Sequence, residues 1–225
     1  MAIYMMREWW WWTPWANTVG YRPLDATNRL NDLSWNGYNL LDNAGYTFWT
    51  YQWVSCVSMS WANNNSHLNN TYVPFWNNRT ALAWIYCTRT QSADQGVVCI
   101  GTDYNTQIVG MWVQSGKGYV TDRKTADTAW TTNIMNAWHL IALTRTSGSW
   151  IKLYIDWVLE ATSPSYTRSS GTWLTIGSKT FSSGASPWTE AYQGYISNVI
   201  FENVVWTAQE VLDYYNDTKS NYWIS

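Results

Sequence analysis

The chain has 225 residues, a formal net charge of −2 and 12% charged residues, a length that all-β sandwiches reach as one domain. With no Lys/Arg cluster, this balance excludes the electrostatic footprint of a nucleic-acid-binding protein, and no window is long and apolar enough to cross a bilayer as a helix. Uncharged Asn, Ser and Thr carry the polar surface instead, as is common in secreted and virion-borne β proteins.

In chain order, residues 1–15 do not read as a secretory signal, because Arg7 and Glu8 interrupt the apolar run and no small-residue cleavage site follows. Export would then use another route, or the chain is part of a longer exported or particle-borne protein, with residues 1–16 expected as an N-terminal segment or linker to the domain, 17–225. Short apolar runs then recur at 18–21, 38–41, 54–59, 81–87, 97–101, 107–113 and 118–121, separated by turn signals. Runs at this spacing, with no helical period before Thr207, predict a two-sheet sandwich. The Asn-rich stretches 63–70 and 77–78 are expected to be solvated turns. Glycosylation sequons at Asn64, Asn69, Asn78 and Asn216 carry little weight in such Asn-rich sequence.

Residues 136–204 hold the clearest pattern. In 137–146, Trp138, Leu140, Ala142 and Thr144 alternate with His139, Ile141, Leu143 and Arg145, the period of a strand. A break at Ser147-Gly148-Ser149 leads into a second alternating run, 150–156, so the two form a hairpin with Gly148 at the positive-φ position. Further strands are predicted at 172–176 and 192–203. A helix closes the chain at 207–216: Thr207 caps it, Glu210 completes a capping box, and Val211, Leu212 and Tyr215 form one apolar face. The helix is expected to close one end or edge of the sandwich.

Four motifs in this order carry a resemblance: Asn136-Ala-Trp-His-Leu-Ile-Ala-Leu, Leu153-Tyr-Ile-Asp-Trp-Val, Leu174-Thr-Ile-Gly177, and Gly194-Tyr-Ile-Ser-Asn-Val followed by Thr207-Ala-Gln-Glu-Val-Leu-Asp-Tyr-Tyr215. They resemble the C-terminal half of a concanavalin A-like, laminin G-like jelly roll. Residues 17–24 and 32–40 resemble its opening strand and first turn more loosely. The resemblance implies an all-β, two-sheet antiparallel jelly-roll sandwich with one short C-terminal helix.

The chain departs from that family where the family has glycine. Its Asp-Gly turn stands here as Asp156-Trp157, and its Ser-Gly-Asn-Gly as Ser34-Trp35-Asn36-Gly37. A turn that needs φ above zero suits Gly and penalises a bulky residue. Moreover, 20 Trp stand beside only 13 Gly, far outside ordinary usage for a turn-rich β protein. The pattern fits a gene in which UGA encodes glycine, translated with a code that reads UGA as tryptophan. On that reading Trp9 to Trp12 and Trp15 belong to a Gly-rich linker. Trp35, Trp49, Trp53, Trp61, Trp76, Trp157, Trp188 and Trp223 are then turn or strand-edge glycines, whereas Trp84, Trp138 and Trp206 are genuine and Trp112, Trp130, Trp150 and Trp173 stay open. The competing reading is a Trp-rich protein whose aromatics bind glycan or membrane.

The residues give no catalytic constellation. Glycoside hydrolysis needs two carboxylates flanking one bond, and Glu8, Glu160, Glu190, Glu202 and Glu210 stand far apart with no acidic partner at strand spacing. His67 and His139 accompany no GxSxG nucleophile motif. The three cysteines show no zinc spacing. Cys87 and Cys99 flank a loop that could bring them together, so a bridge between them stays open.

A non-catalytic glycan-binding, adhesion or structural module is therefore expected, with a glycoside hydrolase or lyase of the same superfamily as the alternative. In laminin G-like relatives a ligand or Ca²⁺ site lies on the rim or concave sheet, which implies here a carbohydrate site at Tyr104, Asn105, Trp112 and Tyr119 and a Ca²⁺ site at Asp103 and Asp122, with Asp127 near by. Oxygen ligands suit a hard cation, and an aromatic platform suits a sugar. The expected partner is a carbohydrate or surface glycoconjugate, on a cell surface or phage particle, with no nucleic acid and no membrane insertion.

Overall fold

A computed structural model of the chain describes residues 18–27, 30–34, 36, 39–40, 46–59, 68–70, 78–90, 95–102, 107–122, 128–165, 174–178 and 191–224. Its strands are β1 Thr18–Arg22, β2 Tyr46–Tyr51, β3 Val54–Met59, β4 Leu68–Asn70, β5 Arg79–Cys87, β6 Gln95–Thr102 and β7 Gln107–Gln114. They continue with β8 Lys117–Asp122, β9 Thr128–Asn133, β10 Trp138–Thr146, β11 Trp150–Ile155, β12 Val158–Pro164, β13 Leu174–Ile176 and β14 Gly194–Glu202. Helix α1, Ala208–Thr218, and a 3-10 turn at Lys219–Tyr222 follow.

The strands form two antiparallel sheets. One has 8 strands in the order β12-β11-β10-β5-β14-β3-β2, with β1 also on β14; the other has 6, in the order β4-β13-β6-β7-β8-β9. Strand β14 pairs with β3 over Gly194 to Ile196 and with β1 over Val199 to Glu202. The switch falls at a bulge between Ser197 and Ile200, where Asn198 takes φ 48° and its N–H donates to the Pro23 carbonyl at 3.2 Å.

Central strands β5, β10 and β14 carry long apolar runs because both of their faces are buried. On the inner face Ala83, Ile85, Ile141, Leu143, Leu153 and Phe201 pack with Val98, Met111, Val113, Val120 and Ile176 of the second sheet. The sheets meet closely at β8, where a Cβ on Gly118 would stand 3.0 Å from Ile155 Cδ1. Each fully buried Leu, Ile or Val contributes about 1.5–3 kcal/mol relative to exposure.

The outer face of the 8-stranded sheet holds a second core of Leu82, Trp84, Tyr86, Leu140 and Ala142 with Trp206, Val211, Tyr214, Tyr215 and Tyr222. Helix α1 and the 3-10 turn therefore lie over a sheet face, where the sequence suggested an end or edge of the sandwich. The expected capping box is formed: Thr207 Oγ1 accepts from the Glu210 N–H at 3.2 Å, and Glu210 Oε2 accepts from the Thr207 N–H at 2.7 Å.

Other expectations need correction. Asn39 and Leu40, in the predicted run 38–41, are loop, with the Leu40 N–H donating to the Leu30 carbonyl at 2.8 Å. Leu68–Asn70, inside a stretch expected to be turns, forms β4 and pairs with β13. Strands β2, β9 and β12 lack a run that announces them. Cys56, Cys87 and Cys99 are not joined in disulfides. Cys87 packs in the core from one sheet while Cys99 stands on the other, opposite Gly110.

Among the described residues, three hairpins have two-residue turns with positive φ at both positions: Gln52-Trp53 (49°, 65°), Ser115-Gly116 (51°, 73°) and Asp156-Trp157 (48°, 70°). That is the type I′ requirement, which strongly favours glycine at the second position. Gly116 meets it, and Trp53 and Trp157 stand in the same slot. A third tryptophan, Trp223, follows the 3-10 turn in the left-handed conformation at φ 61°, the position where helices most often place glycine. Gly148, predicted at a positive-φ turn, has φ 70°.

Candidate functional site

Two aromatic surfaces come into question, one on each sheet. The pair singled out from the sequence, Trp112 and Tyr119, stands directly opposite in the register of β7 and β8, so both side chains share one face. Their rings stack at 5.9 Å. A Cβ on Gly110 would sit 3.0 Å from Trp112 Nε1, so this glycine makes room for the indole to lie across β7. Both residues are closed to solvent, 2% and 5% exposed, and present no open platform. Asp103, Tyr104, Asn105 and Asp127 lie outside the described residues. Asp122 ends β8 with its backbone opposite Val109. Among the described residues no three His, Cys, Asp or Glu side chains converge as a metal cluster.

The second surface is on the outer face of the 8-stranded sheet. Register places Trp138 of β10 opposite Tyr86 of β5, Tyr86 opposite Tyr195 of β14, Tyr195 opposite Ser58 of β3 and Ser58 opposite Thr47 of β2. Direct partners in antiparallel strands project on one face, so these five side chains form a row across the sheet. Exposure rises along it from buried Trp138 and Tyr86, through half-buried Tyr195 and Ser58, to exposed Thr47 on the edge strand.

Tyr51, at the end of β2, lies over this row. Its ring stacks on Tyr195 at 4.0 Å and 13° and meets Tyr86 edge-on at 4.8 Å. Tyr86 in turn meets Trp138 edge-on at 5.8 Å. Gly194, next to Tyr195, lets the β14 backbone lie close to β5, because a Cβ there would run into the Tyr86 carbonyl oxygen. Burial, with smaller contributions from Tyr51 and Tyr195, pushes the Tyr86 phenol up to about 12. Burial also raises Tyr195. Neither phenol therefore ionises near neutral pH.

The adjoining row on the same face includes Leu140, Trp84, Ser197, Cys56 and Trp49. The C-terminal segment covers its inner part: Tyr222 stacks on Trp84 at 4.0 Å, donates to Ser197 Oγ at 3.2 Å and accepts from Asn198 Nδ2 at 2.6 Å. At the sheet edge Trp49 stays 57% exposed, and Trp223 Nε1 donates to the Gln52 carbonyl at 3.0 Å. What remains beside the hydroxyls of Ser58 and Thr47 is an aromatic cluster in which half-buried Tyr51 and Tyr195 stack on each other, with no charged side chain in either row. This cluster gave no sequence signal, because its residues come from strands far apart in the chain and only the register brings them together.

The ionisable groups elsewhere serve the fold. His139 Nδ1 is 2.6 Å from Asp156 Oδ2, while Asp156 Oδ1 accepts from the Leu140 N–H at 2.9 Å, so both side chains secure the β11–β12 turn against β10. Glu160 Oε1 accepts from Thr132 Oγ1. Glu202 is fully buried, with one oxygen accepting from Thr18 Oγ1 and the other without a partner. Burial is the main reason its carboxyl is raised to about 7, and Glu210 adds to it.

No family model matches the chain, and no curated protein matches it. Solved structures do. The binding domain of Paraclostridial Mosquitocidal Protein 1 superposes with a TM-score of 0.70 at 15% identity, covering 89% of this chain and 52% of that one. Domain 4 of AbnA, a GH43 extracellular arabinanase from Geobacillus stearothermophilus solved in complex with arabinotriose, gives 0.66 at 11% identity, covering 88% of this chain and 97% of that one. The botulinum neurotoxin serotype D/C VPI 5993 binding domain gives 0.66 at 10% identity, with 89% and 52% covered. The chain thus spans about half the length of the two toxin binding domains and matches the arabinanase domain nearly end to end. At identities this low the likeness establishes the fold alone, a two-sheet β-sandwich. Among the described residues no helix is long and apolar enough to cross a membrane.

Proposed function

We propose that the chain is a non-catalytic glycan-recognition module of the laminin G-like type, carried by an extracellular, cell-surface or phage-particle protein that residues 1–16 join it to. The observation that carries this reading is the uncharged aromatic cluster on the outer sheet face, where half-buried Tyr51 and Tyr195 lie beside the hydroxyls of Ser58 and Thr47, since sugar sites combine apolar walls with a few placed polar groups. The resemblance to a sugar-complexed domain of matching length supports it. A Ca²⁺ ion held by Asp103 and Asp122 belongs to the same reading as a second, separate element. A glycan array probed with and without Ca²⁺ is the test. Selective binding to a defined set of glycans is expected, and uniform absence of binding overturns the reading in favour of a structural role; loss of binding on chelation is the result expected if Ca²⁺ takes part.

The proposal extends to composition: the native residues at 53, 157 and 223 are glycines, encoded by UGA. Two type I′ turns and one helix-end position hold tryptophan where left-handed backbone favours Gly, and all three indoles are exposed, at 85%, 45% and 71%. Trp84, Trp138 and Trp206 are buried, as genuine tryptophans should be. The gene settles the point: UGA is expected at codons 53, 157 and 223 and UGG at 84, 138 and 206, and UGG at the first three contradicts it.

A further inference from the structure

We propose that Asn36 is a site of spontaneous deamidation, and that its conversion to aspartate or isoaspartate undoes the clamp that a neighbouring turn places on the start of β1. Asn36-Gly37 is the only point in the chain where glycine follows asparagine. Lacking a Cβ, glycine leaves its backbone nitrogen unshielded for attack on the preceding side chain, so Asn36 reacts ahead of the other asparagines. It lies exposed in a turn. Its Nδ2 donates to the Thr18 carbonyl at 3.2 Å and to Ser34 Oγ at 3.5 Å, both long contacts that hold the amide weakly. The step balances with water as the sole co-reactant. The Gly37 nitrogen bonds to Asn36 Cγ and loses its proton, the amide leaves as ammonia, and a cyclic imide results. Water then opens the imide, giving aspartate where the bond to Cγ breaks and isoaspartate where the bond to the backbone carbonyl carbon breaks. Because Gly37 supplies the attacking nitrogen, the reaction is the same with Trp or Gly at position 35.

The consequence follows from what the turn holds. Strand β1 pairs with β14 on one side, and residues 32–36 fasten the other. Asp32 Oδ1 accepts from the Tyr21 N–H at 2.9 Å, and the Leu33 N–H donates to the Tyr21 carbonyl at 2.8 Å. Ser34 fixes Asp32 in turn, its N–H and Oγ donating to the two carboxylate oxygens at 2.9 Å each. This turn therefore grips Tyr21 through two bonds and Thr18 through Asn36 Nδ2. Thr18 is the first residue of β1, and its Oγ1 also donates to buried Glu202. After deamidation a carboxylate faces the Thr18 carbonyl, and two acceptors repel where a hydrogen bond stood. The start of β1 loosens while Tyr21 stays fastened, so the change falls where residues 1–17 lead into the sandwich.

The test incubates the full folded chain in mildly alkaline buffer and follows every Asn-containing peptide by mass spectrometry, with the urea-unfolded chain as reference. The peptide carrying Asn36 is expected to convert first, about tenfold or more ahead of the others, and Asn36→Gln should abolish that conversion because glutamine would have to close a larger ring. Faster reaction at another asparagine of the folded chain overturns the site, as does an Asn36 that reacts in urea and not in the folded protein. The clamp is read separately by hydrogen exchange. In the deamidated protein and in Asn36→Asp, amides of 18–20 should exchange about fivefold or more faster than in the parent, the loss of one hydrogen bond, while those of 194–196 in β14 keep their rates. Unchanged exchange at 18–20 in both proteins overturns the clamp, and acceleration spread equally over β14 overturns its local character.

Discussion

Tryptophan at left-handed backbone positions is the sharpest local anomaly of the chain. A bulky L-residue at φ near 60–70° carries about 1 kcal/mol or more of strain that glycine avoids. Trp53→Gly and Trp157→Gly are therefore each expected to raise stability by about 1 kcal/mol, read as a higher urea midpoint at unchanged slope. Trp223→Gly should gain less, because its indole donates to the Gln52 carbonyl. A lower midpoint in the first two would mean that their exposed rings form contacts that outweigh the strain. Glu202 gives a second residue-level prediction. Its folded carboxyl, at about 7, lies above the 4.5 of the free group, so the folded state keeps a proton that the unfolded state has released. Stability should fall as pH rises from roughly 4.5 to 7 and then level off, by an amount on the order of 2 kcal/mol. Glu202→Gln should remove that slope and exceed the parent in stability above pH 7; a slope that persists in the variant would place the titration elsewhere.

Elements whose two faces are both buried were the ones readable from sequence. Strand β5 is apolar over nearly all its length because one face meets the second sheet and the other meets Trp206, Tyr215 and Tyr222. Helix α1 was equally legible from Thr207 and Glu210, and Thr207→Ala should cost about 1 kcal/mol in thermal or urea unfolding; no loss would mean that packing alone holds the helix start. The expected position of the helix was wrong for a reason visible in hindsight at Leu82, Trp84, Leu140 and Ala142. A central strand that is apolar on both alternating sets needs a cover on each side, and among the described residues the C-terminal segment supplies the outer one. Strands β4 and β12 escaped notice because each lies at the end of a sheet, where Leu68-Asn69-Asn70 and the half-exposed run from Val158 to Pro164 need no apolar alternation.

At the scale of the whole molecule, the sandwich was legible and the proposed binding surface was not. Trp112 and Tyr119 were expected in one carbohydrate site; one short hairpin sets them side by side, but sequence could not tell that their face is closed. The aromatic cluster depends on pairing among β2, β5 and β14, which are separated by most of the domain, and on the coverage of Trp84 by Tyr222. Net charge of −2 and an uncharged cluster also predict that binding changes little with salt, in contrast to recognition driven by ion pairs.

The most direct measurement is the NMR of ring protons while the best neutral oligosaccharide from the array is titrated in. The account predicts that Tyr51 and Tyr195 shift progressively and saturably while Trp112 and Tyr119 stay fixed. Shifts at Trp112 and Tyr119, with Tyr51 and Tyr195 unmoved, would contradict it and return the site to the other sheet.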